Sequence, residues 1–124
     1  MEFHGHDTHP GVIVLVADKQ LDSYDSAGLV ADLQRAIDAG AHTLVVDCSR
    51  LGHVSTIAVC ALLTLHKRMV EHGSELRLAA VKPPLLRVLS LTRLDQVFRL
   101  FASVDEAVEA TRPPAATTAA PRRA

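Results

Sequence analysis

Three short apolar runs recur along the chain, and the stretches between them carry helical periodicity. The runs are VIVLV (Val12–Val16), TLVVD (Thr43–Asp47) and ELRLAAV (residues 75–81). Continuous rather than alternating hydrophobicity marks strands buried on both faces. After the first run, Leu29, Val30, Leu33 and Ile37 recur at helical spacing over residues 27–39, with Ser26 at the cap position and Gly40 as the stop. After the second, Ala58, Ala61, Leu62, Leu65 and Met69 form one stripe over residues 56–72. Lys67, Arg68 and Glu71 lie off it, and Gly73 ends it. Pro83 and Pro84 follow the third run where proline is tolerated, at a helix start, and Leu85, Leu86 and Leu89 give that helix an apolar face. Ser103 with Glu106 three residues on is a capping-box pattern opening a last helix to Ala110. Strands alternating with helices predict an α/β domain, and the connections are long enough for parallel crossovers.

The length of 124 residues leaves room for one domain. Charge divides it further. The chain carries 13 basic and 14 acidic side chains, a formal charge of -1. Residues 111–124 hold Arg112, Arg122 and Arg123, three prolines and no acid. Such a stretch cannot bury enough apolar surface to offset its ordering entropy and reads as a disordered tail. Residues 1–110 then keep 10 basic and 14 acidic side chains, a charge of -4. An acidic domain with 3% aromatics and no Trp argues against nucleic-acid binding. No apolar run approaches the ~20 residues that span a bilayer, so no direct membrane insertion is expected. The opening MEFHGHDTH has no apolar core of a signal peptide, and two cysteines suit a reduced, cytoplasmic protein. His4, His6 and His9 cluster near the start without an evident further metal ligand. The expected layout is a flexible segment over residues 1–10, a domain over 11–110 and a tail over 111–124.

Chemistry, if present, belongs around residues 47–56. Asp47 ends a buried strand, and ligands of open α/β sheets gather beyond the carboxyl ends of strands. The loop after it leads into a helix opening with Ser55 and Thr56. A helix N-terminus exposes unpaired N–H groups and holds phosphate well, on a ligand or on its own side chain. Taken alone, the pair reads simply as an N-cap. Cys48, Cys60, His53 and His66 lie nearby, but no spacing matches a zinc or nucleophile signature. Cys60 is expected as a small core residue and His53 as a solvated loop histidine. Neither catalysis, cofactor nor metal is expected.

The same segments carry a family resemblance. Val45 to Leu63, VVDCSRLGHVSTIAVCALL, resembles the pattern V-L-D-L-S-G-V-x-F-I-D-S-S-G-L-x-x-L. Leu21-Asp22 sits where that family writes G-x-L-D, and Gly73 to Leu78 resembles its G-x-x-L-x-L. Leu89 to Ala110, LSLTRLDQVFRLFASVDEAVEA, resembles its ending L-x-L-T-G-L-D-x-x-F-x-x-F-x-S-x-x-E-A, the most specific match. The family is the STAS domain, and the chain is most similar to its bacterial anti-sigma factor antagonists. The resemblance covers about residues 10–110. It implies a STAS-type single domain, a central mixed sheet of about four to five strands with about four helices. It also implies partner switching: binding an anti-sigma factor, often a serine-protein kinase, and thereby freeing a sigma factor. The kinase phosphorylates a Ser or Thr at the start of the second helix, and a phosphatase reverses the mark. Position by position, Thr56 takes the phosphoacceptor place with Ser55 as fallback. Asp22, His53, Val54, Ser55, Thr56 and Ile57 form the implied partner-binding surface.

The departures are specific. Ser55 replaces the acid of D-S-S-G, Ala58 its glycine, and Lys19 the glycine of G-x-L-D. Other readings are a STAS subunit of a lipid-transport ATP-binding-cassette complex, a STAS module not regulated by phosphate, and a response-regulator receiver with Asp47 as phosphoacceptor and Lys82-Pro83 as its Lys-Pro. A receiver needs an acidic pair after the first strand and a further strand before Lys82, and this chain provides neither.

Overall fold

The computed structural model describes residues 3–5, 10–18, 26–51 and 55–110. The elements run β1 (Phe3–Gly5), β2 (Val12–Val16), α1 (Ser26–Asp38), β3 (Thr43–Asp47), α2 (Thr56–Glu71), β4 (Glu75–Ala79), α3 (Pro83–Leu91), a 3-10 turn (Leu94–Gln96), β5 (Arg99–Phe101) and α4 (Val104–Glu109). The five strands lie in the order β1-β2-β3-β4-β5. β1 is antiparallel to β2, and every later pair is parallel. The sheet is therefore mixed, with four parallel strands, as expected.

Pleating divides the side chains between two faces. Leu15, Leu44, Val46, Leu76 and Leu78 join Leu33 of α1, Ala58, Ala61, Leu62, Leu65 and Met69 of α2, and Leu85 and Leu89 of α3 in the larger core. The crossovers step across the sheet in one direction, so all three helices lie on one face. The opposite face is covered by α4, whose Ala107 and Val108 pack on Val12, Val45 and Ala79.

One polar cluster sits beneath α4. Arg77 is 1% exposed. Its guanidinium donates to Glu75 Oε1 at 2.7 Å and to the Ala107 carbonyl at 2.5 Å. Arg99 donates to the other Glu75 oxygen at 2.9 Å, and both guanidinium groups lie over the Phe101 ring. A charge this deep is tolerable only with partners.

Several sequence expectations shift. Within residues 1–10, expected as a flexible segment, Phe3–Gly5 pairs antiparallel with β2, because backbone groups on that outer strand edge take hydrogen-bond partners. The third run ends at Ala79, not residue 81, since Ala80 turns to φ 55. Leu86 is 41% exposed rather than part of the α3 apolar face, because Leu85 and Leu89 already fill the inward side. Cys60 is exposed rather than a core residue, because it lies off the Ala58-Leu62-Leu65-Met69 stripe. β5 is a strand the apolar runs did not announce. The tail 111–124 and the N-terminal His6 and His9 fall outside the described residues.

Candidate functional site

The parallel register places the carboxyl ends of the strands side by side. Val16, Asp47 and Ala79 form one row, and Phe101 extends it. Helices α1, α2, α3 and α4 all begin beyond that edge of the sheet. Asp47 does not stand free there: its Oδ1 accepts the Ser49 N–H at 3.0 Å, fixing the turn that leaves β3. The next residues fold inward. Cys48 N–H donates to the Ala79 carbonyl at 2.8 Å, and Leu51, 1% exposed, plugs the core. Burial pushes the Cys48 thiol up to about 12, with the Asp47 charge adding to it. That thiol is no nucleophile at neutral pH. Cys60 faces solvent on α2, and His66 packs edge-on against Phe98 at 5.3 Å. Three such different surroundings do not make a Cys/His site.

The chain then opens α2. Ser55 has extended backbone (φ -109, ψ 164), and its hydroxyl accepts the Ala58 N–H at 3.1 Å. This is the geometry of an N-cap. Ala58, where the family pattern has glycine, turns inward at 1% exposure. The two residues between cap and core point the other way. Thr56 is exposed as the first helical residue, and Ile57 is 57% exposed. No acid stands in the first turn of α2. The helix end thus presents a hydroxyl and an apolar side chain to solvent at the positive end of the helix dipole.

The sequence-predicted residues divide accordingly. Ser55 is committed to capping, which suits it poorly as an acceptor. Thr56 and Ile57 share the exposed end of α2. Asp22, His53 and Val54 lie outside the described residues. Cys60, expected in the core, is instead exposed one turn beyond Thr56 on the same side of α2. The signal was its i+4 spacing from Thr56. No group of three or more His, Cys, Asp or Glu among the described residues is placed to hold a metal ion. No described helix is long and apolar enough to cross a membrane.

Comparison with known proteins gives three results. The STAS domain family model matches residues 6–107. BtrV of Bordetella bronchiseptica, assigned as an anti-sigma factor antagonist, is 25% identical over 116 residues, covering 94% of this chain and 96% of its own. Two solved structures share the fold. One is a protein of Thermotoga maritima assigned as an anti-sigma factor antagonist, with TM-score 0.72 and 19% identity, over 86% of this chain and 90% of its own. The other is the phosphorylated form of the Bacillus cell fate determinant SpoIIAA, with TM-score 0.66 and 17% identity, over 86% and 96%.

Proposed function

Because the chain belongs to the STAS domain family, we propose that it is an anti-sigma factor antagonist that binds a serine-kinase-type anti-sigma factor through the start of α2 and is released when Thr56 is phosphorylated. The observation carrying the reading is the division of labour at that helix end. Ser55 uses its hydroxyl to cap the helix, while Thr56 beside it is exposed. A kinase needs an accessible hydroxyl, and the cap leaves one. The antagonist assignment of BtrV and the phosphorylated state of SpoIIAA support the reading by analogy.

The physics of the switch is local. Phosphate on Thr56 adds roughly -1.5 to -2 charge at neutral pH. Within the chain that charge is welcome, because it sits on the positive end of α2. Its cost falls on the complex, where a partner packed over Thr56 and Ile57 has to desolvate the new charge. A penalty of about 3 kcal/mol weakens binding by about a hundredfold. No change of fold is needed.

The test is titration of the purified kinase-type anti-sigma factor from the source organism with wild type and Thr56→Glu. Wild type is expected to bind and Thr56→Glu to lose at least about a hundredfold in affinity. Equal affinity for the two overturns the switch. Phosphorylation by the kinase with ATP, mapped by mass spectrometry, is expected at Thr56 and not at Ser55.

A further inference from the structure

We propose that Asp47 is a positioning residue for the partner contact: its carboxylate fixes the turn that carries the chain from β3 toward α2, and so presets the surface beside Thr56 that the anti-sigma factor meets. The inference rests on the antagonist reading and adds a residue behind its contact surface. Asp47 is half-buried and ends β3, in the row of strand ends that includes Val16 and Ala79. Two chain exits meet on it. Its carbonyl accepts the Ala17 N–H at 2.9 Å, where the chain leaves β2. Its Oδ1 accepts the Ser49 N–H at 3.0 Å, where the chain leaves β3. The first exit leads toward Asp22 and the second toward Ser55 and Thr56, all of them on the implied partner surface.

Residues 48–51 are pinned at both ends. The Cys48 N–H donates to the Ala79 carbonyl at 2.8 Å, and Leu51, 1% exposed, donates its N–H to the Cys48 carbonyl at 3.1 Å. Between the pins Ser49 is half-buried and Arg50 is exposed. The Asp47 carboxylate ties the Ser49 amide, and with it the direction in which the turn presents Arg50. Without that acceptor a part-buried N–H loses its partner, and the turn gains conformations that return the amide to water. A partner docking on this edge then selects one conformation from several. Its apparent affinity falls by the fraction of chains that hold it. The role asks for an acceptor and not for a charge, because Asn closes the same kind of turn through its amide oxygen. That separates it from a direct ion pair with the partner and from a carboxylate that itself takes up phosphate, both of which need the charged oxygen.

The experiment titrates wild type, Asp47→Asn, Asp47→Ala and Thr56→Glu with the same anti-sigma factor, and follows phosphorylation of the first three by it with ATP. Thermal melts set an assay temperature at which every variant is folded. Asp47→Ala is expected to bind about tenfold more weakly, as for a turn in which about one chain in ten is competent. Its KM for phosphorylation should rise by the same factor with kcat unchanged, because Thr56 keeps its place in the first turn of α2. Asp47→Asn is expected to bind and react as wild type. Wild-type affinity for Asp47→Ala overturns the proposal, since a merely structural turn lowers the melt and leaves binding alone. An equal loss in Asp47→Asn also overturns it, by assigning the role to the charge. In both cases the antagonist reading stands if Thr56→Glu still abolishes binding. No binding by wild type removes both. If Asp47→Ala does not fold, Asp47→Ser takes its place, since a hydroxyl closes such turns more weakly. It is expected to bind more weakly than Asp47→Asn, and equality of the two overturns the proposal.

Discussion

The Ser55 hydroxyl accepts the Ala58 amide at 3.1 Å, while adjacent Thr56 is exposed. The two hydroxyl residues therefore answer differently to substitution. Ser55→Ala is expected to cost about 1 kcal/mol through the lost cap. Thr56→Ala should stay within about 0.5 kcal/mol of wild type. Thr56→Glu should add roughly 0.3–1 kcal/mol, because it places a negative charge at the positive end of α2, whose first turn holds no acid. Urea denaturation of the three variants measures all three shifts.

Beneath α4, a single carboxylate serves two arginines. Glu75→Gln is expected to cost about 3 kcal/mol, because the buried Arg77 loses its countercharge. Arg99→Ala should cost under about 1 kcal/mol, since its side chain is 39% exposed. Equal losses from the two variants, read by chemical denaturation, would show that Arg77 does not depend on Glu75.

The two cysteines should separate cleanly. At pH 8 a thiol reagent is expected to label one site per folded chain, Cys60, and two after denaturation, since Cys48 is buried with its thiol pushed up to about 12. The same shift sets a pH dependence. Unfolding returns Cys48 to its ordinary value of 9.0, so above pH 9 the unfolded state gives up a proton that the folded state keeps. Stability is fully present below pH 9. It falls above it by up to about 1.4 kcal/mol per pH unit until the folded value is reached. Cys48→Ala, assayed from pH 8 to 10.5, should flatten that slope.

Backbone conformation gives opposite signs at two turns. Arg93→Gly is expected to raise stability by roughly 0.5–1 kcal/mol, since φ 63 costs glycine nothing. Gly11→Ala should lower it by roughly 1–3 kcal/mol. At φ +84 the added Cβ falls 2.4 Å from the His42 ring, which a 2.9 Å contact between its Nδ1 and Thr43 Oγ1 holds in place. Thermal melts of the two variants test both signs.

What the sequence discloses follows from pattern strength. The strands Val12–Val16 and Thr43–Asp47 and the buried stripe Ala58-Ala61-Leu62-Leu65-Met69 were readable in full, because burial on two faces or along one helical stripe leaves a periodic trace. Ser103 was readable as a cap, and its hydroxyl accepts the Glu106 amide at 3.1 Å. β1 and β5 were not: three residues are too few to show a period, and RLF carries a charge whose partner, Glu75, stands 24 residues away. At the site, Ser55 and Thr56 were legible as a pair, but not which hydroxyl caps and which faces solvent. That depends on how the chain enters α2.

The strand order has a consequence for synthesis. Each strand pairs with the one made just before it, so the sheet grows in step with the emerging chain, and no early strand waits for a distant partner. One element breaks this economy. Residues 104–109 are made after every strand of the sheet, and their Ala107 and Val108 are what covers Val12, Val45 and Ala79. A nascent chain that has completed its sheet but not α4 carries a bare apolar face. Ribosome stalling or truncation there would hand chaperones and proteases an otherwise finished domain.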